Sequence, residues 1–363
     1  MTDYDIEKYI DSLPEDIEEL DVSYDYFAFL SEDIEEIIVE YKNINNLNSL
    51  TRFKNLKTLY CGGNKLTFLP ALPETLEKLY CSGNLLTSLP ALPETLNLLS
   101  CYDNRLAYLP PLPKNLNFLS CYNNRLVSLP SLNENLHTIY CFNNQISSLP
   151  TLNENLKELF CDENQLSSLP TLNTYLTNIS CRKNLLTFLP PLNDNLKSLN
   201  CSDNRLTSLP ILNTNLQELY CHENQLSSLP PLNKNLKVMF CYHNQLTHLP
   251  NFNENLHTVN CHDNRLIYLP NFNEKLDYIY YYNNPIDEIF PNTREMLSTL
   301  NKKVKIVNKF RELYYSLKFK RRFRDWLWVK IREPKIRERY SHDYLIKNLP
   351  DEDADLDTVL AAW

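Results

Sequence analysis

Cysteine recurs every 20 residues from Cys61 to Cys261, eleven times, and no cysteine lies off that register. The surrounding letters keep the same step: LYCGGNKLTFLPALPETLEK at 59–78 is followed by LYCSGNLLTSLPALPETLNL at 79–98. From Leu56 the unit is LxxLxCxxNxLxxLPxLxxN, without insertion. Its asparagine runs from Asn64 to Asn284 in twelve copies, and its Leu-Pro pair from Leu69-Pro70 to Leu269-Pro270 in eleven. The twelfth copy puts Tyr281 in the cysteine slot and Phe290-Pro291 in place of Leu-Pro. One unit this short cannot bury its own apolar face, so a fixed period predicts stacked coils that share a continuous core. LYC and LSC alternate apolar and exposed positions, as a short strand does, and stacking such strands predicts a parallel sheet. Composition agrees, since 3 glycines against 22 prolines suit a repeat with a fixed proline better than an enzyme built on glycine loops.

These residues resemble the leucine-rich repeat family, on Leu56, Leu59, Cys61, Asn64, Leu66 and Leu69 and their equivalents in later copies. The 20-residue length with LPALPETL is similar to the short bacterial-type class found in secreted effectors. The resemblance implies a repeat solenoid with a parallel β-sheet on its concave face and an extended, polyproline-like convex side. It also implies an asparagine ladder between coils, and a non-enzymatic scaffold for binding proteins. Proline after Leu69 fixes an extended backbone and removes a donor, which suits a back without helices. Asparagine at a turn position bonds backbone groups with its side chain and tolerates strained dihedrals. From Asn133 onward asparagine replaces the second proline of LPALPETL, both residues being suited to turns.

Three segments are expected. Residues 1–50 carry 15 acidic and 1 basic residue in the first 40 and read as an acidic N-terminal cap with degenerate copies. LPEDIEELDV (Leu13–Val22) and LSEDIEEIIV (Leu30–Val39) place Val22 and Val39 in the cysteine slot. A separate acidic interaction domain is the alternative. Residues 51–290 form the solenoid, about 14 coils with the degenerate ones. Residues 291–363 form a helical basic segment with an acidic tail: 16 basic and 5 acidic residues lie in 291–340, 6 acidic and 1 basic in the last 23. Met296, Leu297, Leu300, Val304, Ile306, Val307, Phe310, Leu313 and Tyr314 have helical spacing, and Pro334 should end or kink the last helix. From Arg321 the chain resembles a C-terminal tail that recurs on unrelated proteins of giant DNA viruses. The residues that carry this are Trp326, Trp328, Arg332-Glu333-Pro334, Tyr340, Tyr344-Leu345, Asp355-Leu356-Asp357 and Trp363. That resemblance implies a viral protein in host cytoplasm or in the virion, with a host protein as partner. The acidic N-terminus with no basic start or apolar run does not read as a signal peptide, and no membrane span is expected.

The cysteine column has several readings. Structural zinc needs four ligands around one point, and no CxxC occurs. Disulfides between in-register neighbours would be strained, and 11 thiols cannot all pair. Packing as small apolar residues is favoured, supported by Val22 and Val39 in the same slot; a redox or metal role stays open. No catalytic residue is assigned. Bacterial effectors with similar repeats often carry a ubiquitin-ligase domain with a cysteine nucleophile, and no cysteine follows Cys261. Glycine-rich phosphate loops, HExxH and GxSxG are absent. His222, His243 and His262 sit on the exposed strand face in three neighbouring copies; they read as variable surface residues or, less readily, as a metal cluster. No cofactor or metal is expected.

The variable positions are the one before cysteine and the two after it, all expected on the strand. Aromatics gather there in two patches, Tyr102, Tyr122, Tyr140, Phe142 and Phe160, and then Tyr220, Phe240, Tyr242, Tyr278, Tyr280 and Tyr282. Asp162, Glu163, Arg182 and Lys183 lie between them. Exposed aromatics suit a partner-binding face, although stacking that shields the sheet explains them as well. Lys318, Lys320, Arg321, Arg322 and Arg324 beside two tryptophans suit an anionic partner, a nucleic acid or membrane surface, or a cap paired with the acidic ends. A ubiquitin-ligase adaptor role would need a ligase-binding motif, and none is evident.

Overall fold

The computed structural model describes residues 33–47, 50–291 and 296–339. The degenerate copy Leu13–Val22 and the tail residues from Tyr340 lie outside them. Two compact units divide the chain, Met1–Leu297 and Ser298–Trp363.

Among the described residues, thirteen strands of three residues each form one parallel sheet in strict sequence order. They run from β1 (Glu36–Ile38) and β2 (Thr58–Tyr60), then every 20 residues, to β13 (Tyr278–Tyr280). The register never slips: Leu59 pairs with Leu79, Leu79 with Leu99, and so to Val259 with Ile279. Each strand ends at the residue before the cysteine slot, which Val39 fills after β1 and Tyr281 after β13, because the next residues leave the strand for a tight turn. The sequence places the two positions after cysteine on the strand; the structure places them in the turn.

Each coil sends the same side chains inward. Leu56, Leu59, Cys61 and Leu66 are fully buried, as are their equivalents down to Leu256, Val259, Cys261 and Leu266. Burying one leucine contributes about 1.5–3 kcal/mol, so stability accrues coil by coil. Val39 occupies the cysteine slot of the first described coil: its N–H donates to the Tyr60 carbonyl at 2.8 Å, as that of Cys61 does to Tyr80. Tyr281 and Phe290 fill the irregular slots of the twelfth copy, both buried.

The asparagine ladder is present. Asn84 donates from Nδ2 to the Cys61 carbonyl at 2.9 Å and the Cys81 carbonyl at 3.1 Å, while its Oδ1 accepts from the Leu66 N–H at 3.0 Å. The pattern repeats to Asn284. The left-handed residue of this turn is not the asparagine, as the sequence reading allowed, but the residue before it. Gly63, Gly83, Asp103, Asn123, Asn143, Glu163, Lys183, Asp203, Glu223, His243, Asp263 and Asn283 all have φ between 49° and 66°. Gly63 also lies under Tyr41, whose ring would stand 2.3 Å from an added Cβ.

Two further ladders hold the back of the coils. Asn153 through Asn273, where early copies have proline, donate to the leucine carbonyl of the preceding coil at 2.9–3.1 Å. Asn115, Asn135, Asn155, Asn195, Asn215, Asn235 and Asn255 donate to another carbonyl of the preceding coil at 2.7–2.9 Å. Asparagine there is a bridge between coils as well as a turn former.

The helix α1 (Leu297–Leu327), all but its first residue in the second unit, continues through a π-helical turn at Trp328–Arg332 into α2 (Glu333–Arg339). Pro334 does not end this path, which runs on to Arg339; the helix widens into the π turn directly before the proline, whose ring and missing N–H disfavour regular α-helical bonding there. Among the described residues no helix is long and apolar enough to cross a membrane.

Candidate functional site

The outward residues of the sheet form columns, because the register places equivalents directly beside one another. Parallel strands lie about 4.7–4.9 Å apart, close to the stacking distance of two rings. The sequence-predicted first patch resolves into two such columns. Tyr102, Tyr122 and Phe142, each just after its cysteine, form one continuous stack with centroids 4.4 and 4.2 Å apart and planes within 11°. Tyr140 and Phe160, each just before its cysteine, stack at 4.8 Å. Faces are covered by neighbouring rings and the residues stay half-buried, so edges and hydroxyls are what remain exposed. Burial pushes the Tyr122 phenol up to about 12, assisted by Tyr102 and Asp103; it is a neutral hydrogen-bonding group.

A charged divider follows. Asp162 accepts hydrogen bonds from the Ser180 hydroxyl and, at 2.7 Å, from the Arg182 N–H. Its carboxyl lies above the usual value because burial outweighs those bonds. Lys183 meets Glu163 at 3.3 Å.

The second patch contains residues that the aromatic reading missed. Tyr220 and Phe240 meet edge to face at 5.3 Å. Beside them runs a four-membered stack, His222, Tyr242, His262 and Tyr282, with spacings of 4.2, 4.5 and 4.4 Å. Two histidines serve as plates in an aromatic column; the signal was their place in the same register as Tyr102 and Tyr122. Burial, with the Arg182 charge, lowers the His222 imidazole to about 4 and keeps it neutral. Tyr242 separates His222 from His262, so the three histidines do not converge. His243 instead leans on His262 at 5.2 Å, edge to face. Tyr278 and Tyr280, at the last strand, are exposed.

All eleven thiols are free and buried. Burial pushes each above its ordinary value, Cys81 and Cys121 to about 12. Such protonated thiols are poor nucleophiles and metal ligands. The column is core. On α1, Lys318, Lys320, Arg321, Arg322 and Arg324 are exposed, with Phe319, Phe323 and Trp326 exposed among them.

Comparison with known proteins follows the repeat. A family model described as leucine-rich repeats (2 copies) matches residues 54–94 and 194–234. No curated protein matches the chain. Among solved structures, YopM of Yersinia enterocolitica WA-314 is 29% identical with a TM-score of 0.53, covering 67% of this chain; this chain spans 63% of that one, just under two thirds. The functional domain of InlJ from Listeria monocytogenes, which includes a cysteine ladder, shares the fold at 24% identity and a TM-score of 0.51, over 74% of this chain and 57% of that one. YopM of Yersinia pestis, a leucine-rich effector protein, is 32% identical with a TM-score of 0.61, over 69% of this chain and 78% of that one. Identity at that level over most of a relative's length goes beyond a shared fold, and the coil-to-coil asparagine ladder is intact throughout: this chain belongs to the leucine-rich repeat family.

Proposed function

We propose that the protein is a non-enzymatic scaffold that holds a protein partner on its concave sheet face. The fold itself is consistent with a protein-interaction scaffold. The observation that carries the finer reading is the rigid stack Tyr102–Tyr122–Phe142 beside Tyr140–Phe160. Rings already held by their neighbours lose little entropy on binding, and tyrosine edges offer apolar area with a hydroxyl. Shielding of the sheet alone would favour aromatics in every coil, yet Ser100, Ser120, Ser180 and Asp162 interrupt the columns. The Y. pestis relative is an effector protein, which supports a partner in another organism's cell. With the tail resemblance, that favours a host protein met in host cytoplasm or from the virion.

The test is affinity capture from host cytoplasm, comparing the intact protein with Tyr122→Ala/Phe142→Ala. A defined protein retained by the first and at least about tenfold depleted with the second supports the reading, since truncating central aromatics costs about 2 kcal/mol or more each. Equal recovery of every retained protein would sink it.

A second reading rests on α1, where five exposed cations and exposed aromatics share one helix. It binds an anionic partner, a nucleic acid. Affinity for DNA or RNA should then fall steeply with salt, and replacing Arg321, Arg322 and Arg324 by alanine should reduce that slope by about one per lost phosphate contact. A flat salt response contradicts it.

A further inference from the structure

We propose that His243, His262 and Asp263 form a binding site for a divalent transition-metal ion of the zinc class. The site needs no protein partner and is independent of the scaffold reading. Three ligand atoms, one from each residue, lie within 4.8 Å of one another. Asp263 Oδ2 stands 2.5 Å from His262 Nδ1 and 3.7 Å from His243 Nε2, so a single carboxylate oxygen faces both rings.

The repeat itself prepares this geometry. His243 and Asp263 occupy the same left-handed position in adjacent coils, with φ of 49° and 51°. The His243 N–H donates to the His262 carbonyl at 3.1 Å, and that of Asp263 to the Tyr282 carbonyl at 3.0 Å, which fixes the backbones. His262 is clamped between Tyr242 and Tyr282 and is 12% exposed at its side chain. Asn283 Nδ2 donates to Asp263 Oδ1 at 2.9 Å, orienting the carboxylate and leaving Oδ2 for the histidines. Such outer contacts are what set ligand orientation in metal sites.

Ligand chemistry selects the ion. Two imidazoles and one carboxylate suit zinc and its first-row neighbours; calcium and magnesium prefer oxygen alone. Zinc bonds to nitrogen and oxygen run about 2.0–2.2 Å, so the ligand atoms must settle at about 3.3 Å from one another around a tetrahedral ion. With His262 held between its neighbours, the partly exposed Asp263 carboxylate opens from 2.5 Å as the ion displaces the proton shared with His262 Nδ1 to solvent, and the 53% exposed His243 side chain closes from 3.7 Å. Its open side provides the entry path and leaves a fourth position for water.

The test uses the full chain, stripped by a chelator and titrated with cobalt(II) in place of zinc, followed by visible absorption. The expected result is one equivalent of cobalt with d–d bands, no thiolate-to-cobalt charge-transfer band, and displacement by zinc. His243→Ala, whose side chain is exposed and outside the core, should keep the native circular dichroism and weaken binding at least about tenfold, since loss of a mere outer contact costs about 10–100-fold. Asn283→Ala should weaken it less. Absent cobalt binding, binding unchanged by His243→Ala, or a thiolate charge-transfer band would each overturn the site.

Discussion

The Asn84 side-chain amide donates to the Cys61 carbonyl across one full coil, at 2.9 Å. That bond explains why the asparagine recurs in all twelve copies; the cysteine contributes only its backbone carbonyl, as Val39 does to Asn64. Cysteine fills a fully buried slot that Val39 and Tyr281 take in the outer coils, and its carbonyl is the acceptor that ties its coil to the next.

The ladder sets the first prediction. Asn164 donates to the carbonyls of Cys141, Cys161 and Asp162 at 3.0–3.1 Å and accepts from the Ile146 N–H at 2.9 Å. Alanine there leaves several buried groups without partners, at about 1–3 kcal/mol each for the ones that water cannot reach. Asn164→Ala should lower the urea midpoint clearly, and Asn164→Asp, which removes the donor, should do no better. An unchanged midpoint would mean the ladder is ornamental.

The thiols set the second. A cysteine whose pKa is 9.0 unfolded and about 12 folded, as at Cys81 and Cys121, stays protonated in the fold while the unfolded chain ionises. The unfolded state then binds fewer protons, so stability is complete below about pH 9 and falls as pH rises through 9–12. Each such thiol contributes about 1.4 kcal/mol of loss per pH unit in that window. Thermal melts from pH 8 to 11 should show a steep decline, and native thiols at pH 7.5 should resist a mild thiol reagent until the chain is denatured. Rapid labelling of Cys141 or Cys161 in the native protein would contradict the core assignment.

The turn sets the third. Glu223 adopts φ of 53°, a conformation that costs an ordinary residue about 1–2 kcal/mol. Glu223→Gly removes that strain against about 0.5–1 kcal/mol of extra unfolded-state freedom. Stability should hold or rise by up to about 1 kcal/mol, while Glu223→Val should lose stability. A clear loss in the glycine variant would show that the Glu223 side chain contributes more than its backbone strain removes.

Much of this was legible because the period is rigid. A 20-residue step fixes strand, core and turn at once, so Leu59, Cys61, Asn64 and even the Val39 substitute could be placed from their letters. The aromatic columns were legible for the same reason, since Tyr102, Tyr122 and Phe142 share one register. Features set by backbone conformation were not. Nothing in the chemistry of Glu163, Lys183 or His243 declares a left-handed φ; the available signal was Gly63, Gly83 and the Asn or Asp in most other copies. The rear asparagine ladders were missed because Asn133 and its equivalents were judged as turn formers beside proline, a local criterion, while their bonds run to the neighbouring coil. The sequence groups His222, His243 and His262 by neighbouring copies, whereas the structure brings His243 and His262 together with Asp263. His222 is shielded by Tyr242, and the partner that matters, Asp263, belongs to the next column.

The central claim is that the regular letters build the solenoid and the aromatic plates beside them bind a protein. It is tested most directly by calorimetric titration of the captured partner against three proteins: wild type, Tyr122→Ala/Phe142→Ala, and Ile211→Ser, which alters an exposed residue outside the sheet. The account predicts affinity reduced at least about tenfold in the aromatic variant, unchanged in Ile211→Ser, and equal melting temperatures for all three. Full affinity in the aromatic variant, or a loss confined to Ile211→Ser, would contradict it.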